Sequence, residues 1–283
     1  MIDPTHRKSV GLLVAASLCW SFAGVLFKYV EWPGLAAASA RGLIAGLFLL
    51  LVTWRSLRFT WSPLQLGAAA VYAACTLLFA MANKMTTAAN AILLQYTAPV
   101  WAALLGAWLL HERPTKSDWL TIVVVLGGLG LFLYDGLQLG QLAGVLVAIA
   151  SGVGFAGVPI MLRKQPTGST VEPLILGNLL GALVGLPALL SAPALPASGW
   201  TSLVLLGVVQ LGLAYLFYSR AIRHVTALEA VLIPVLEPVL NPLWVMLATG
   251  ERPSARSLVG GAIVLGAVTM RAISSIRRPA GPN

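Results

Sequence analysis

The sequence predicts an all-α polytopic membrane protein: ten transmembrane helices, folded as two five-helix repeats of opposite direction. Three observations predict it: too little charge for a water-facing surface, ten apolar segments of spanning length, and a motif that returns five spans later. Of the 283 residues, 58% are hydrophobic and only 10% are charged, with a mean hydropathy of +0.88. A soluble domain is about 25% charged. A span needs about 20 apolar residues to cross about 30 Å of hydrocarbon, and its backbone must satisfy its own polar groups there, so these runs are helices.

The segments fall in order at about 9–30, 34–54, 64–83, 87–110, 117–134, 140–162, 173–191, 200–219, 226–248 and 257–275. Short breakers separate them, among them Trp32-Pro33-Gly34, Trp61-Ser62-Pro63, Arg113-Pro114, Ala192-Pro193 and Arg252-Pro253. Arg7-Lys8 before an apolar run resembles the start of a signal peptide, but the run through Val30 is longer than such a segment, so it is read as an uncleaved first span. With ten spans both termini share a side. That side carries thirteen Lys and Arg residues in its loops and ends; the opposite side carries Lys28, Lys84, Arg252 and Arg256, and Arg41 lies within span two. The positive-inside rule therefore puts both termini in the cytoplasm of a cell inner or plasma membrane protein.

Residues 91–114, AILLQYTAPVWAALLGAWLLHERP, return as residues 230–253, AVLIPVLEPVLNPLWVMLATGERP. A second pair sets GLLVAASLCWSFAGV (11–25) against GVLVAIASGVGFAGV (144–158), identical at eight of fifteen positions. The first pair joins spans four and nine, the second joins spans one and six. Each is five spans apart, an odd number, so the copies run in opposite directions. The expected repeats are residues 1–138 and 139–283. Inverted repeats place a binding site near the midplane, and exchange of the two halves' conformations gives alternating access. Transport is the expectation; a scaffold or receptor that inherited a duplication is the structural alternative.

The net charge of +9 does not indicate nucleic acid, because the basic residues sit in pairs between apolar runs. Cys19 and Cys75 lie within apolar runs, and His6, His111 and His224 are not spaced as ligands, so no disulfide framework or metal site is expected. There is no GxxxxGK[ST] loop. No catalytic residue and no cofactor is expected. The expected partners are a small-molecule substrate, the lipid bilayer and, as a coupling ion, protons; a monomer suffices.

CWSFAGVLFKYV in span one, Arg41 in span two, TTAANAILLQYTAPVWAALLGAWLLHERP around span four and its echo in span nine together resemble the drug/metabolite transporter superfamily, in its ten-span EamA branch. The resemblance covers nearly the whole chain. It implies a ten-helix bundle around a central cavity and export of metabolites, often amino acids; one branch exports aromatic amino acids. It does not fix the substrate.

Polar and aromatic residues at helical spacing mark candidate cavity faces. In span three these are Tyr72, Thr76, Phe79 and Asn83; shifted by 139, the same face of span eight holds Tyr215 and Tyr218. Ordinary helix packing would leave the same trace. Span nine carries Glu237, Asn241 and Trp244 on one face, and span four carries Gln95, with Trp101 alongside. Trp20 is a candidate wall in span one. Glu237 is expected to bind a substrate amine or carry a proton, or else to sit protonated and hold backbone groups freed by Pro238. Pro99 and Pro238, at matched sites, are expected hinges. Arg41 is expected to be a structural charge. The aromatic stripes point towards hydrophobic or aromatic amino acids, with proton-driven export of drugs or organic cations as the second reading. An intramembrane enzyme would need convergent acid, base or metal groups, which the spans lack.

Overall fold

A computed structural model describes residues 4–27, 29–86, 88–132, 134, 142–165, 170–249 and 254–277. Among them there is no strand, and the helices follow the ten expected segments. Span one is Pro4–Ser21 continued by Ala23–Phe27, span two Gly34–Thr53 and span three Pro63–Met85. Span four is broken into Ala88–Gln95 and Ala98–Leu109; span five is Lys116–Phe132 and span six Leu142–Arg163. Span seven is Glu172–Val184 followed by Leu186–Leu190. Span eight runs from Ala197 to His224, with a π-helical stretch at Leu206–Leu213. Span nine is Ala227–Leu232, a 3₁₀ turn at Ile233–Val235, then Leu236–Thr249; span ten is Ala255–Arg277.

Six of these helices are long and apolar enough to cross a membrane on their own: spans one, two, three, four, six and eight. The others are shorter or interrupted, as span seven is at Gly185 and span nine at its 3₁₀ turn. Helix starts follow local chemistry. Ser62 caps span three by accepting from the Gln65 N–H, with Pro63 in the first turn. Thr226 and Glu229 form a capping box at the start of span nine.

The neighbour relations repeat after a shift of five spans. Span three packs on span six, as span eight packs on span one; span three packs on span seven, as span eight packs on span two; span four packs on span six, as span nine packs on span one. The pairs two–seven and five–ten map onto themselves. This is a two-fold arrangement of two five-helix units, inverted because the shift is odd. The spans five and ten pair is a close approach through glycine, as expected of small residues in membranes. A Cβ on Gly128 would lie 2.9 Å from Ile263 Cγ2 and 3.0 Å from Val264 Cγ2. The approach is confined to part of the glycine-rich face, since a Cβ on Gly127, Gly130 or Gly266 would meet nothing within 4 Å.

The face that carries both termini is laced by charge. Arg271 of span ten pairs with Asp118 of span five at 2.9 Å and with Glu229 of span nine at 3.5 Å. Glu229 also meets His6 of span one at 3.3 Å. Glu112, from the Glu-Arg-Pro that ends span four, pairs with Arg163 of span six and accepts the Ala227 N–H at 2.9 Å. Glu172 of span seven accepts the Arg58 N–H at 2.6 Å. The motif's Glu112 therefore ties span four to spans six and nine. Just before it, His111 adopts φ 59°, and the N–H groups of Leu110 and Glu112 both reach the Gly106 carbonyl. In the echo the matching position is Gly250, the residue type that reaches this left-handed conformation without a Cβ penalty.

Two stability predictions follow from these contacts. Gly128→Leu should lower the melting temperature in detergent, at a cost of about 1–3 kcal/mol for overpacking, whereas Gly127→Leu should leave it near the wild-type value. Arg271→Met strands two buried carboxylates and should cost about 3–5 kcal/mol, read by the same thermal unfolding; an unchanged melting temperature would show that the lattice does not hold the bundle.

Candidate functional site

The site is built where the broken spans four and nine meet. A proline in a helix gives no N–H to the carbonyl four residues before it. Pro238 thus leaves the Pro234 carbonyl without its usual donor. The Tyr96 hydroxyl, from the break in span four, lies 3.1 Å from that carbonyl and 2.9 Å from Glu237 Oε2. Tyr96 is buried, while Glu237 is only partly so. In span four, Pro99 leaves the Gln95 carbonyl in the same state. Gly152 of span six packs there: a Cβ on it would come within 2.8 Å of the Gln95 oxygen. The two matched prolines thus meet different partners, a tyrosine hydroxyl in one half and a bare glycine in the other.

The predicted aromatic residues come together as one cluster. Trp20 lies 5.0 Å from Tyr215 and 5.4 Å from Tyr218, ring centre to ring centre; Tyr72 lies 4.9 Å edge-on from Tyr215. Such spacings are those of favourable edge-to-face pairs. Tyr72 and Tyr218 are at most 1% exposed, and Trp20 and Tyr215 at most 6%. The cluster is therefore a closed plug between spans one, three and eight. Its polar edges are partly served, since Tyr72 donates to Asn178 Oδ1 at 3.2 Å.

Arg41 of span two lies beside this plug. One guanidinium nitrogen, Nη1, donates to Gln210 Oε1 at 3.2 Å, and the plane lies 5.3 Å over the Phe27 ring. Gln210 also donates to the Trp20 carbonyl at 3.4 Å. Among the described residues no carboxylate pairs with Arg41, and its Nε has no acceptor. A small cavity of about 10 Å³, room for one water, is lined by Arg41, Thr76, Asn178 and Leu211 with neighbouring small residues.

The other predicted residues are placed apart from this centre. Gln95 turns to span six and donates to Ser151 Oγ at 2.8 Å; Ser151 in turn donates to the Cys75 carbonyl at 3.0 Å. Its neighbour Tyr96, unmarked in the sequence reading, is the span-four residue that reaches Glu237. Thr76 spends its hydroxyl on its own helix, on the Tyr72 and Ala73 carbonyls. Phe79 packs on the small cluster of Ala82, Ala91 and Ala148. Trp101 donates to Thr97 Oγ1 at 3.2 Å, and Trp244 donates to Ser21 Oγ at 2.8 Å and stacks on Phe22. Asn83 and Asn241 lie outside the described side chains.

Three buried polar residues were missed. Gln210 and Asn178 are amides inside apolar runs, a signal legible in the sequence on the same grounds as Gln95. Tyr96 carried no such signal, because its meaning depends on a carbonyl 138 residues away. Gln210 also lies in the π-helical stretch, a feature frequent at functional sites.

The EamA-like transporter family matches the chain at residues 7–134 and again at residues 140–272. The pseudopaline exporter CntI of Pseudomonas aeruginosa (strain UCBPP-PA14) is 30% identical over 277 residues, covering 94% of this chain and 96% of the relative. The uncharacterized transporter YwfM of Bacillus subtilis (strain 168) is 29% identical over 245 residues, covering 82% and 81%. A solved crystal structure overlays with a TM-score of 0.81 over 96% of this chain and 100% of its own length, at 21% identity, and so shares the fold.

Because the plug is packed from all sides, Trp20→Ala should cost about 3–5 kcal/mol of stability, the range for large aromatic truncation in a core. Trp244→Ala, at a half-buried ring, should cost less. Thermal unfolding of both variants in detergent checks this; equal, small effects would mean that Trp20 lines open space.

Proposed function

Starting from a chain that belongs to the EamA-like transporter family, within the drug/metabolite transporter superfamily, we propose that it exports small amino-acid-like metabolites by alternating access. The observation that carries the reading is the pair Glu237 and Arg41. They are an acid and a base within apolar spans, and they form no ion pair with each other. An ammonium fits the first and a carboxylate the second. The rings of Trp20, Tyr72 and Tyr215 stand beside Arg41's neighbour Gln210, and opening of this plug during the cycle would bare faces for an apolar side chain. The direction of transport rests on the likeness to CntI, a pseudopaline exporter.

The alternating units are residues 1–138 and 139–283, and Pro99 and Pro238 are their hinges. The charge lattice on the terminal face is the closed gate of one state, with both termini in the cytoplasm of the inner or plasma membrane. Asn83, Gln95, Trp101, Asn241 and Trp244 belong to the walls exposed in the course of the cycle. A monomer contains the whole pathway, and no enzymatic step is assigned. The second reading, proton-driven export of organic cations, would use Glu237 alone and leave Arg41 idle.

Counterflow separates them. Proteoliposomes preloaded with unlabelled phenylalanine should accumulate labelled phenylalanine saturably, with competition by tyrosine and tryptophan. A lipophilic cation that competes where amino acids do not would replace this reading by the second. Arg41→Gln should weaken competition by the amino acid at least about tenfold, the loss of one charge-assisted contact, and leave a cation's competition unchanged.

A further inference from the structure

The single proton of the Tyr96 hydroxyl has two acceptors to serve, and the protonation of Glu237 decides which of them it serves. A phenol has one proton to donate. Tyr96 Oη sits within bonding distance of two acceptors, the Pro234 carbonyl at 3.1 Å and Glu237 Oε2 at 2.9 Å. If Tyr96 gives its proton to Pro234, the bond to Glu237 exists only when the carboxyl donates. The chain then reads Glu237 O–H to Tyr96 Oη, and Tyr96 O–H to the Pro234 carbonyl. If Glu237 is ionised, its carboxylate takes the Tyr96 proton, and the Pro234 carbonyl loses its link to span four and keeps only the Leu236 N–H of its own turn.

We propose that Tyr96 is the positioning residue that converts the protonation of Glu237 into the state of the span-nine hinge. With Glu237 protonated, Tyr96 ties span four to the backbone just before Pro238. Loss of the proton from the exposed edge of the carboxyl turns the Tyr96 hydroxyl towards the carboxylate and unties that backbone. The carboxylate is then free to take a substrate ammonium in the proton's place. One site thus holds either a proton or an amine, which is the condition for exchange of the two. The partial exposure of Glu237 gives the proton its way out.

The geometry around the acid supports this assignment. Span nine is already interrupted by a 3₁₀ turn at Ile233–Val235, next to the freed carbonyl, so a change there acts on an existing bend. Span four is broken at Tyr96-Thr97, between its two helical pieces, so Tyr96 stands on a joint of its own. The other charged or titratable groups that act on Glu237 are Arg41 from span two and Tyr215 from span eight. Neither is hydrogen-bonded to it, so Tyr96 alone links the carboxyl to a backbone.

The proposal rests on the transport reading but is tested partly without a substrate. Infrared difference spectra of the reconstituted protein should show a protonated-carboxyl band that titrates with pH and is absent in Glu237→Gln. In Tyr96→Phe the band should remain and shift, because its acceptor is gone. With any substrate that shows counterflow, Tyr96→Phe should keep exchange within about twofold and lose about tenfold in proton-driven transport, the weight of about one interhelical hydrogen bond. Glu237→Gln, whose amide donates permanently to Tyr96 but offers an ammonium no charge, should lose most transport of an amine substrate, and the residual exchange should be independent of pH. An unshifted band or a wild-type pH profile in Tyr96→Phe would overturn the proposal. If that variant does not fold, a proton dependence that survives in Glu237→Gln would do the same. Failure of every amino acid to compete, with the band still titrating, would remove the substrate reading and leave the proton link standing.

Discussion

A backbone carbonyl that has lost its donor cannot turn to water inside a bilayer. That constraint governs the centre of this protein. Four-residue spacing makes each proline in a span a demand on a neighbouring helix, and the two halves answer it differently. The second half brings Gly152 against the carbonyl freed by Pro99 in the first; the first half brings Tyr96 to the carbonyl freed by Pro238 in the second. An apolar close approach leaves nothing to switch. A hydroxyl shared with Glu237 has two arrangements of nearly equal geometry, so the repeat copied the fold and diverged in chemistry at its matched prolines.

The same economy holds at the terminal face. Three acids and three bases from spans one, four, five, six, nine and ten are joined on the face where spans four and ten end. Arg271 alone meets two carboxylates. Ion pairs at this depth are less hydrated than surface pairs, and a structure that holds them closed must have another set of contacts to hold it open. The aromatic plug of Trp20, Tyr72, Tyr215 and Tyr218 lies deeper along the same path. Lattice and plug are made from different chemistry: one from buried charge pairs, the other from packed rings.

Particular residues show what was readable. Glu237 was marked by its cost in an apolar run, and Pro99 and Pro238 by their return at a fixed offset; both helices are broken beside those prolines. The aromatic stripe on spans three and eight pointed inward, and the structure gathers Tyr72, Tyr215 and Tyr218 in one cluster with Trp20. Gln95 was marked in span four by its place on the face that matches the Glu237 face of the repeat, and Tyr96 was not marked. Helical spacing alone does not say which of two adjacent side chains faces span nine, and the break at residues 96–97 shifts the register of that face.

The sequence by itself determined the class, the number of spans, their relative direction and the matched prolines, because these follow from hydropathy, span length and internal repetition, all of them local or periodic. Only the tertiary structure decided which polar groups meet across the bundle. Tyr96 and Pro234 are 138 positions apart, and Arg41 and Gln210 are 169 apart. No periodicity encodes such pairs, since they arise where helices from opposite halves cross, and the crossing is fixed by glycine contacts and backbone breaks spread over the whole bundle.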